Sequence, residues 1–286
     1  MKFAFIRDQL SAYPVKVSCR VLEVSRAGYY AWRDRPASPR QVRHQVLSAR
    51  ITVVHQENRC VYGSPRICRV LVSDGEQVCE NTVAKVMREL RLRAKGKRKF
   101  VPQTTDSRHG HRVARNLLDR QFTAQKPNAK WVVDITYIPT DEGWLYLAGV
   151  MDLCSRKIVG WSMTDHMQWR LVGDALEMAL TQRHPPAGLL HHSDRGVQYA
   201  CDDYRKLLSD AGMDMSMSHK GDCWDNAVME SFWSTLKTEL VHHQRYGTRN
   251  EARASIFEYI EVFYNRKRLH SALGYQSPEM FEAGLN

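Results

Sequence analysis

From Trp131 to Ile138 the chain reads Trp-Val-Val-Asp-Ile-Thr-Tyr-Ile, a β-branched and aromatic run that predicts a strand. Asp141-Glu142-Gly143 is a turn, residues 144–152 form a second strand, residues 153–156 turn the chain again, and residues 157–162 form a third strand. Short turns between three strands predict an antiparallel meander. Leu171, Ala175, Met178 and Ala179 then recur at helical spacing within residues 168–183. A brief strand at 189–192, a helix at 199–211, a short strand at 213–217 and helices at 225–241 and 251–265 complete the pattern. A meander followed by strands alternating with helices describes an α/β chain: a mixed sheet flanked by helices.

The front of the chain is helical. Residues 15–24 predict a short helix, Ser25 to Gly28 a turn, and residues 29–35 a second short helix, the outline of a helix-turn-helix. Pro36 and Pro39 break the chain before a longer helix at 41–56. A similar unit follows: a helix at 65–72, a turn at 73–75, and an amphipathic helix at 81–92 with Asn81 as N-cap. There Val83, Val86, Met87 and Leu90 make one buried stripe, and Lys85, Arg88 and Arg91 a basic face. Residues 95–120 lose apolar periodicity and gain cations, among them Lys97, Arg98 and Lys99. That segment reads equally as a tether and as a strand laid along phosphates. The predicted divisions are residues 1–40, 41–95, a basic linker 96–124, an α/β core 125–242 and a helical extension 243–286.

Composition sharpens this division. The 286 residues carry a formal charge of +11; residues 1–120 hold 25 Lys and Arg against 10 Asp and Glu, and residues 121–286 hold 17 against 21. A basic front suits a polyanion, and a mildly acidic back suits a few purposeful carboxylates. No apolar run reaches the ~20 residues of a membrane span, and the N-terminus lacks the apolar stretch of a secretion signal. Seven cysteines with no Cys-x-x-Cys pair argue against a disulfide scaffold or zinc finger. A cytoplasmic location, with no membrane partner, is the expectation.

Three acids stand out. Asp134 interrupts a strand, where a short charged side chain neither packs nor tolerates desolvation. Asp194 follows the fourth strand, at the carboxyl end where α/β sheets place ligands. Glu230 lies on the helix after it, with Asn226 and Lys237 predicted on the same face. Each alone has a bland explanation: an edge-strand acid, an Asp-x-Gly turn, a solvated helix face. Together, with 35 residues between the second and the third, they are positioned to meet at one sheet edge. Clustered carboxylates repel and invite hard divalent cations. A metal pair of that kind serves in-line phosphoryl transfer.

The motifs W-V-V-D-I-T-Y-I (131–138), H-S-D-R-G-V-Q-Y (192–199), D-N-A-V-M-E-S-F (225–232) with L-K-T-E (236–239), and Y-N-R-K-R-L-H-S-A-L-G-Y-Q-S-P (264–278) resemble those of bacterial insertion-sequence transposases of the retroviral-integrase type, the kind encoded by a second reading frame. S-R-A-G-Y-Y-A-W (25–32) and Y-G-S-P-R-I (62–67) resemble that family's helix-turn-helix regions. The resemblance implies a ribonuclease H-like core, with Asp134, Asp194 and Glu230 as catalytic metal ligands. It implies Mg²⁺ as the cofactor, with Mn²⁺ as a substitute and two ions once DNA is bound. It implies that Lys237 touches the DNA end and that Asn226, Arg195, Gln198 and His192 support the site or the strand. Lys85, Arg88, Lys97, Arg98 and Lys99 are the further DNA contacts expected. Tyr264, Asn265, Arg268 and His270 match the C-terminal signature, structural or DNA-contacting, and Asp152 reads as a turn residue. The implied partners are double-stranded DNA, a second copy of the chain and the upstream-frame product.

Two other functions remain open at this level. A non-catalytic regulator of transposition would keep the helix-turn-helix units without needing the acids. A nuclease acting on RNA–DNA hybrids would need the acids but not helices suited to the major groove of B-form DNA.

Overall fold

The computed structural model describes residues 1–9, 12–96, 113–219 and 223–285. Chain contacts divide it into two units, Met1–Val54 and His55–Asn286. In the first, helices α1 (Lys2–Asp8), α2 (Val15–Val21) and α3 (Arg26–Arg33) close around Ile6, Cys19 and Tyr29, with Phe3, Val15 and Trp32 at the margin. The third helix starts earlier than the turn signal predicts because Ser25 caps it. The Ser25 Oγ accepts from Gly28 N at 2.9 Å, and a Cβ on Gly28 would lie 2.8 Å from that oxygen. Helix α4 (Pro39–Glu57) starts on the proline itself, whose missing N–H costs nothing in a first turn.

The second unit opens with α5 (Ser64–Ser73) and α6 (Glu80–Glu89), joined through Ile67, Leu71, Val83, Val86 and Met87. Two expectations fail here. Cys79, not Asn81, occupies the N-cap, and the helix stops at Glu89, so Leu90 leaves the stripe and is exposed. Lys85 and Arg88 are exposed on α6, whereas Lys97, Arg98 and Lys99 lie outside the described residues.

Five strands follow: β1 (Lys130–Thr140), β2 (Gly143–Asp152), β3 (Ile158–Thr164), β4 (Leu190–Ser193) and β5 (Asp214–Met217), in spatial order β3-β2-β1-β4-β5. The meander β1-β2-β3 is antiparallel, and β4 and β5 add in parallel beside β1. This is the ribonuclease H-like arrangement. Helix α7 (Trp169–Arg183) lies close on β3, because any side chain at Gly160 would strike the Ala175 carbonyl. Trp131, Val133, Ala148, Val150 and Val159 of the sheet pack with Leu171, Ala175 and Leu176 of α7 and with Tyr199, Tyr204 and Leu208. The last three lie on α8 (Val197–Ala200) and α9 (Asp202–Asp210), one predicted helix broken by extended backbone at Cys201.

A 3-10 turn at Cys223–Asn226 leads into α10 (Ala227–Glu239), which packs on β1. Helix α11 (Arg249–Phe257), started by a Thr248–Glu251 capping box, runs on as a π-helical stretch at Glu258–Tyr264 before α12 (Pro278–Ala283). Residues 113–120, placed in the basic linker by the sequence pattern, follow the edge strand β5. The Arg115 carbonyl accepts from Met217 N at 3.3 Å, the Ser216 Oγ accepts from Leu117 N at 2.8 Å, and Leu118 is buried. An edge strand left bare would expose unpaired backbone, and this segment covers it.

Candidate active site

Strand register brings the first two acids level. β4 pairs with β1 from Lys130↔Leu190 to Val132↔His192. Two residues further on each chain lie Asp134 and Asp194, on the same side of the pleat. β4 ends at Ser193, and Asp194 opens the turn, its Oδ1 accepting from Gly196 N at 2.9 Å. The third acid comes from α10. Met229, Phe232, Trp233 and Leu236 form that helix's buried face, and Glu230 sits in its first turn, exposed. Opposite Asp134 on β2 is Gly149, where a Cβ would meet the Trp233 ring at 2.9 Å. The bare glycine lets α10 lie against the strand, and the Trp233 Nε1–H donates to Asp134 Oδ2 at 3.0 Å. Neither Trp233 nor Gly149 carries a sequence signal for this role.

Burial, then the charge of Asp194 and that of Glu230, pushes the Asp134 carboxyl up to about 8, against the bonds it accepts from Ile135 N and Trp233. Desolvation also raises Glu230. Asp134 thus feels the charge of both other acids. Among the described residues no three acidic, imidazole or thiol groups stand close enough together to hold a metal ion by themselves.

The supporting residues fall into place unevenly. Asn226, predicted on the helix face that meets DNA, is instead buried ahead of α10, and its Nδ2 donates to the Val133 carbonyl at 2.9 Å. It ties the start of α10 to β1, one residue from Asp134. The adjacent Asp225 is a node: it accepts from Asn116 Nδ2 at 2.9 Å, Arg120 Nε at 3.0 Å and His219 N at 2.8 Å. Burial alone would raise its carboxyl, but the bonds from His219 and Arg120 win and hold it at about 2. The Lys237 ammonium rests over the Tyr137 ring, 4.8 Å from its centre; burial lowers its pKa and Asp134 partly restores it.

His192 is buried between β4 and β5, with Nδ1 2.8 Å from Ser216 Oγ, and burial keeps it neutral, down at about 4. The Arg195 Nε donates to the Ser218 carbonyl at 2.6 Å and the Gln198 amide to the Met167 carbonyl at 3.0 Å. The C-terminal signature proves internal. Asn265 bonds both backbone groups of Ile158, the Tyr264 hydroxyl donates to the Arg156 carbonyl, and Arg268 forks onto Glu239 at 2.7 Å, tying this segment to β3 and α10. Asp152, buried, accepts from Asn128 N and Cys154 N at the end of β2, which makes it a turn clamp.

Comparison with known proteins gives this geometry a family. Two integrase core domain models match residues 124–223 and 211–278, and an HTH-like domain model matches residues 42–100. The transposase InsF for insertion sequence IS3A of Escherichia coli (strain K12) is 44% identical over 284 residues, 99% of this chain and 98% of that protein. The chain belongs to the IS3-type insertion-sequence transposases. The insertion element IS600 uncharacterized 31 kDa protein of Shigella sonnei is 49% identical to this transposase over 263 residues, 92% of this chain and 96% of the relative. A simian T-cell lymphotropic virus intasome chain is similar at 12% identity and TM-score 0.48, over 81% of this chain and 74% of that one. The HTLV-2 integrase catalytic core domain in complex with magnesium is similar at 13% identity and TM-score 0.42, over 55% of this chain and 98% of that one. The transposase is thus an enzyme of the integrase type, and relatives named as transposases favour that reading over the regulator. No helix among the described residues is long and apolar enough to cross a membrane.

Proposed function

We propose that this transposase cuts and joins DNA strands at the ends of its insertion sequence, with Asp134, Asp194 and Glu230 as the catalytic carboxylates. The observation that carries the reading is the β1–β4 register, which sets Asp134 and Asp194 level, with α10, the helix of Glu230, packed on β1; burial and the two other acids push the Asp134 carboxyl to about 8. A site that gathers negative charge against its own repulsion, with only oxygen donors, suits Mg²⁺ or Mn²⁺, and two ions fit once DNA phosphates join the donor set. When bound, such ions activate a hydroxyl nucleophile and stabilise the leaving oxygen of an in-line displacement.

The chain's own residues do the positioning. Trp233 holds one Asp134 oxygen, Asn226 pins the start of α10 to β1, and the two together set where Glu230 stands relative to Asp134. Lys237, two turns past Glu230 and steadied on Tyr137, offers its ammonium to a phosphate of the DNA end. The nucleophile is water for cleavage and a 3′-hydroxyl for strand transfer, so neither step needs a covalent enzyme intermediate. Arg195 supports the turn that carries Asp194, and the exposed Lys85 and Arg88 of α6 meet DNA through the helix-turn-helix-like module. Joining two element ends calls for at least two protomers, and the upstream-frame product is the further partner.

A nicking assay on duplexes carrying the element's terminal repeats tests this. The wild type cleaves in Mg²⁺, whereas Asp134→Asn, Asp194→Asn and Glu230→Gln bind the same duplex and leave it whole. Cleavage retained by any of the three removes that residue from the mechanism.

A further inference from the structure

Further along α10 from Glu230 lies a cleft of about 460 Å³ that the proposed reaction does not use. Ser234, Thr235 and Thr238 of α10 form one wall. Gly63, Pro65 and Arg66 at the start of α5, with Ala94 and Lys95 just past α6, form the other, and Arg268, Ser271 and Tyr275 close the end.

Its charge is one-sided. Among the described residues the only carboxylate in the lining is Glu239, and that group is already spent: Arg268 donates to both its oxygens, at 2.7 to 3.1 Å, and Tyr259 donates to it at 2.7 Å. Arg66 and Lys95 have no such partner. The Arg66 Nε donates to the Leu269 carbonyl at 2.9 Å and its guanidinium lies over the Tyr62 ring, leaving the two terminal nitrogens without a protein acceptor among the described residues. The Lys95 ammonium donates to the Glu239 carbonyl at 3.0 Å and keeps two further N–H donors. Two cations, five hydroxyls and, among the described residues, no unspent anion make a cradle for an oxyanion. Desolvation and the neighbouring Arg268 both lower Arg66, so its charge is crowded as well as unpaired.

Position narrows the ligand. Ser234 is one helical turn past Glu230 and Thr238 two turns, so the cleft lies within ~12 Å of the acid along α10, or three to four nucleotide steps at ~3.4 Å each. Its opposite wall belongs to the helical module matched by the HTH-like domain model. A strand held by that module and cut near Glu230 passes this opening. We propose that the cleft between α5 and α10 is a phosphodiester site, in which Arg66 and Lys95 hold a backbone phosphate of the duplex between the module and the cleaved bond. The inference rests on the transposase reading above, but it concerns grip and not chemistry.

The test is DNA binding measured in EDTA across a salt series, with a duplex of about 30 base pairs carrying the terminal repeat. Arg66→Gln and Lys95→Gln each flatten the slope of log affinity against log salt by about 0.9, one phosphate's worth. Thr235→Asp, which leaves both backbone anchors in place and puts a negative charge in the cleft, weakens binding at least tenfold while melting like the wild type. Ethylation of one particular phosphate interferes with wild-type binding and not with Lys95→Gln. Variants that melt normally and keep the wild-type slope, affinity and interference pattern overturn the site. The nicking assay fails or succeeds independently: a flattened slope without Mg²⁺-dependent nicking keeps the cleft and sinks the catalytic assignment.

Discussion

The Trp233 indole donates to Asp134 Oδ2 at 3.0 Å, reaching the strand over Gly149. One acid of the site is thus held by the helix that carries another. This bond, the Asn226 amide on the Val133 carbonyl and the missing side chain at Gly149 together register α10 on β1.

Replacing Trp233 with Phe keeps the ring bulk and deletes the donor. Stability falls by about 1 kcal/mol, and cleavage falls by about ten- to a hundredfold, the usual cost of losing a group that orients a metal ligand. Gly149→Ala pushes a methyl to 2.9 Å from the same ring. It costs about 1–3 kcal/mol by overpacking and lowers cleavage without touching any acid. Urea unfolding beside nicking rates separates the two effects.

The raised Asp134 carboxyl has a pH signature. An acid pushed up in the folded state disfavours folding once the unfolded chain ionises. Metal-free stability therefore declines as pH rises from about 4 and levels off above about 8. Asp134→Asn removes that slope and melts higher than the wild type at pH 8 in EDTA, by about 2–4 °C per kcal/mol relieved. For the same reason Mg²⁺ binding releases close to one proton near neutrality and tightens with pH up to about 8. Calorimetry in buffers of different ionisation heat measures the proton.

Asp225 behaves in the opposite sense. Its carboxyl, held at about 2, contributes stability that is complete above the ordinary carboxylate range and disappears as pH falls through 2. Asp225→Asn costs about 2 kcal/mol at pH 7, only a small part of that at pH 2, and nothing well below it. Because the node joins residues 116 and 120 to the start of α10, hydrogen exchange in both segments accelerates in the variant.

Much of the site could be read from the chain, and what could not has a physical cause. Asp134 and Asp194 were visible because a charged residue in a strand and an acid after one are local anomalies, and parallel pairing does the rest. Asn226 was misplaced because a 3-10 turn delays α10 by two residues and points its amide into the sheet. Trp233 and Gly149 look like ordinary core and strand residues; their roles exist only where two distant segments touch. The C-terminal signature reads equally as structural or DNA-contacting, because the contact that decides it, buried Arg268 against Glu239, spans 29 residues. The early stop of α6 at Glu89 and the π-helical run after α11 lie below what hydrophobic periodicity resolves.

That buried pair gives a further expectation. Arg268→Met strands the Glu239 charge and costs about 3–5 kcal/mol, whereas the double change Arg268→Met with Glu239→Leu recovers most of it. Chemical denaturation of the single and double variants reads the difference directly.

The central claim, that Asp134 and Asp194 hold the catalytic cations, is tested most directly by metal rescue. Asp134→Cys and Asp194→Cys exchange a hard oxygen for a soft sulfur, which Mg²⁺ binds poorly and Mn²⁺ tolerates. The account predicts that both variants bind the element-end duplex, lose cleavage in Mg²⁺ and regain at least part of it in Mn²⁺. Wild-type cleavage by either variant in Mg²⁺ would contradict it.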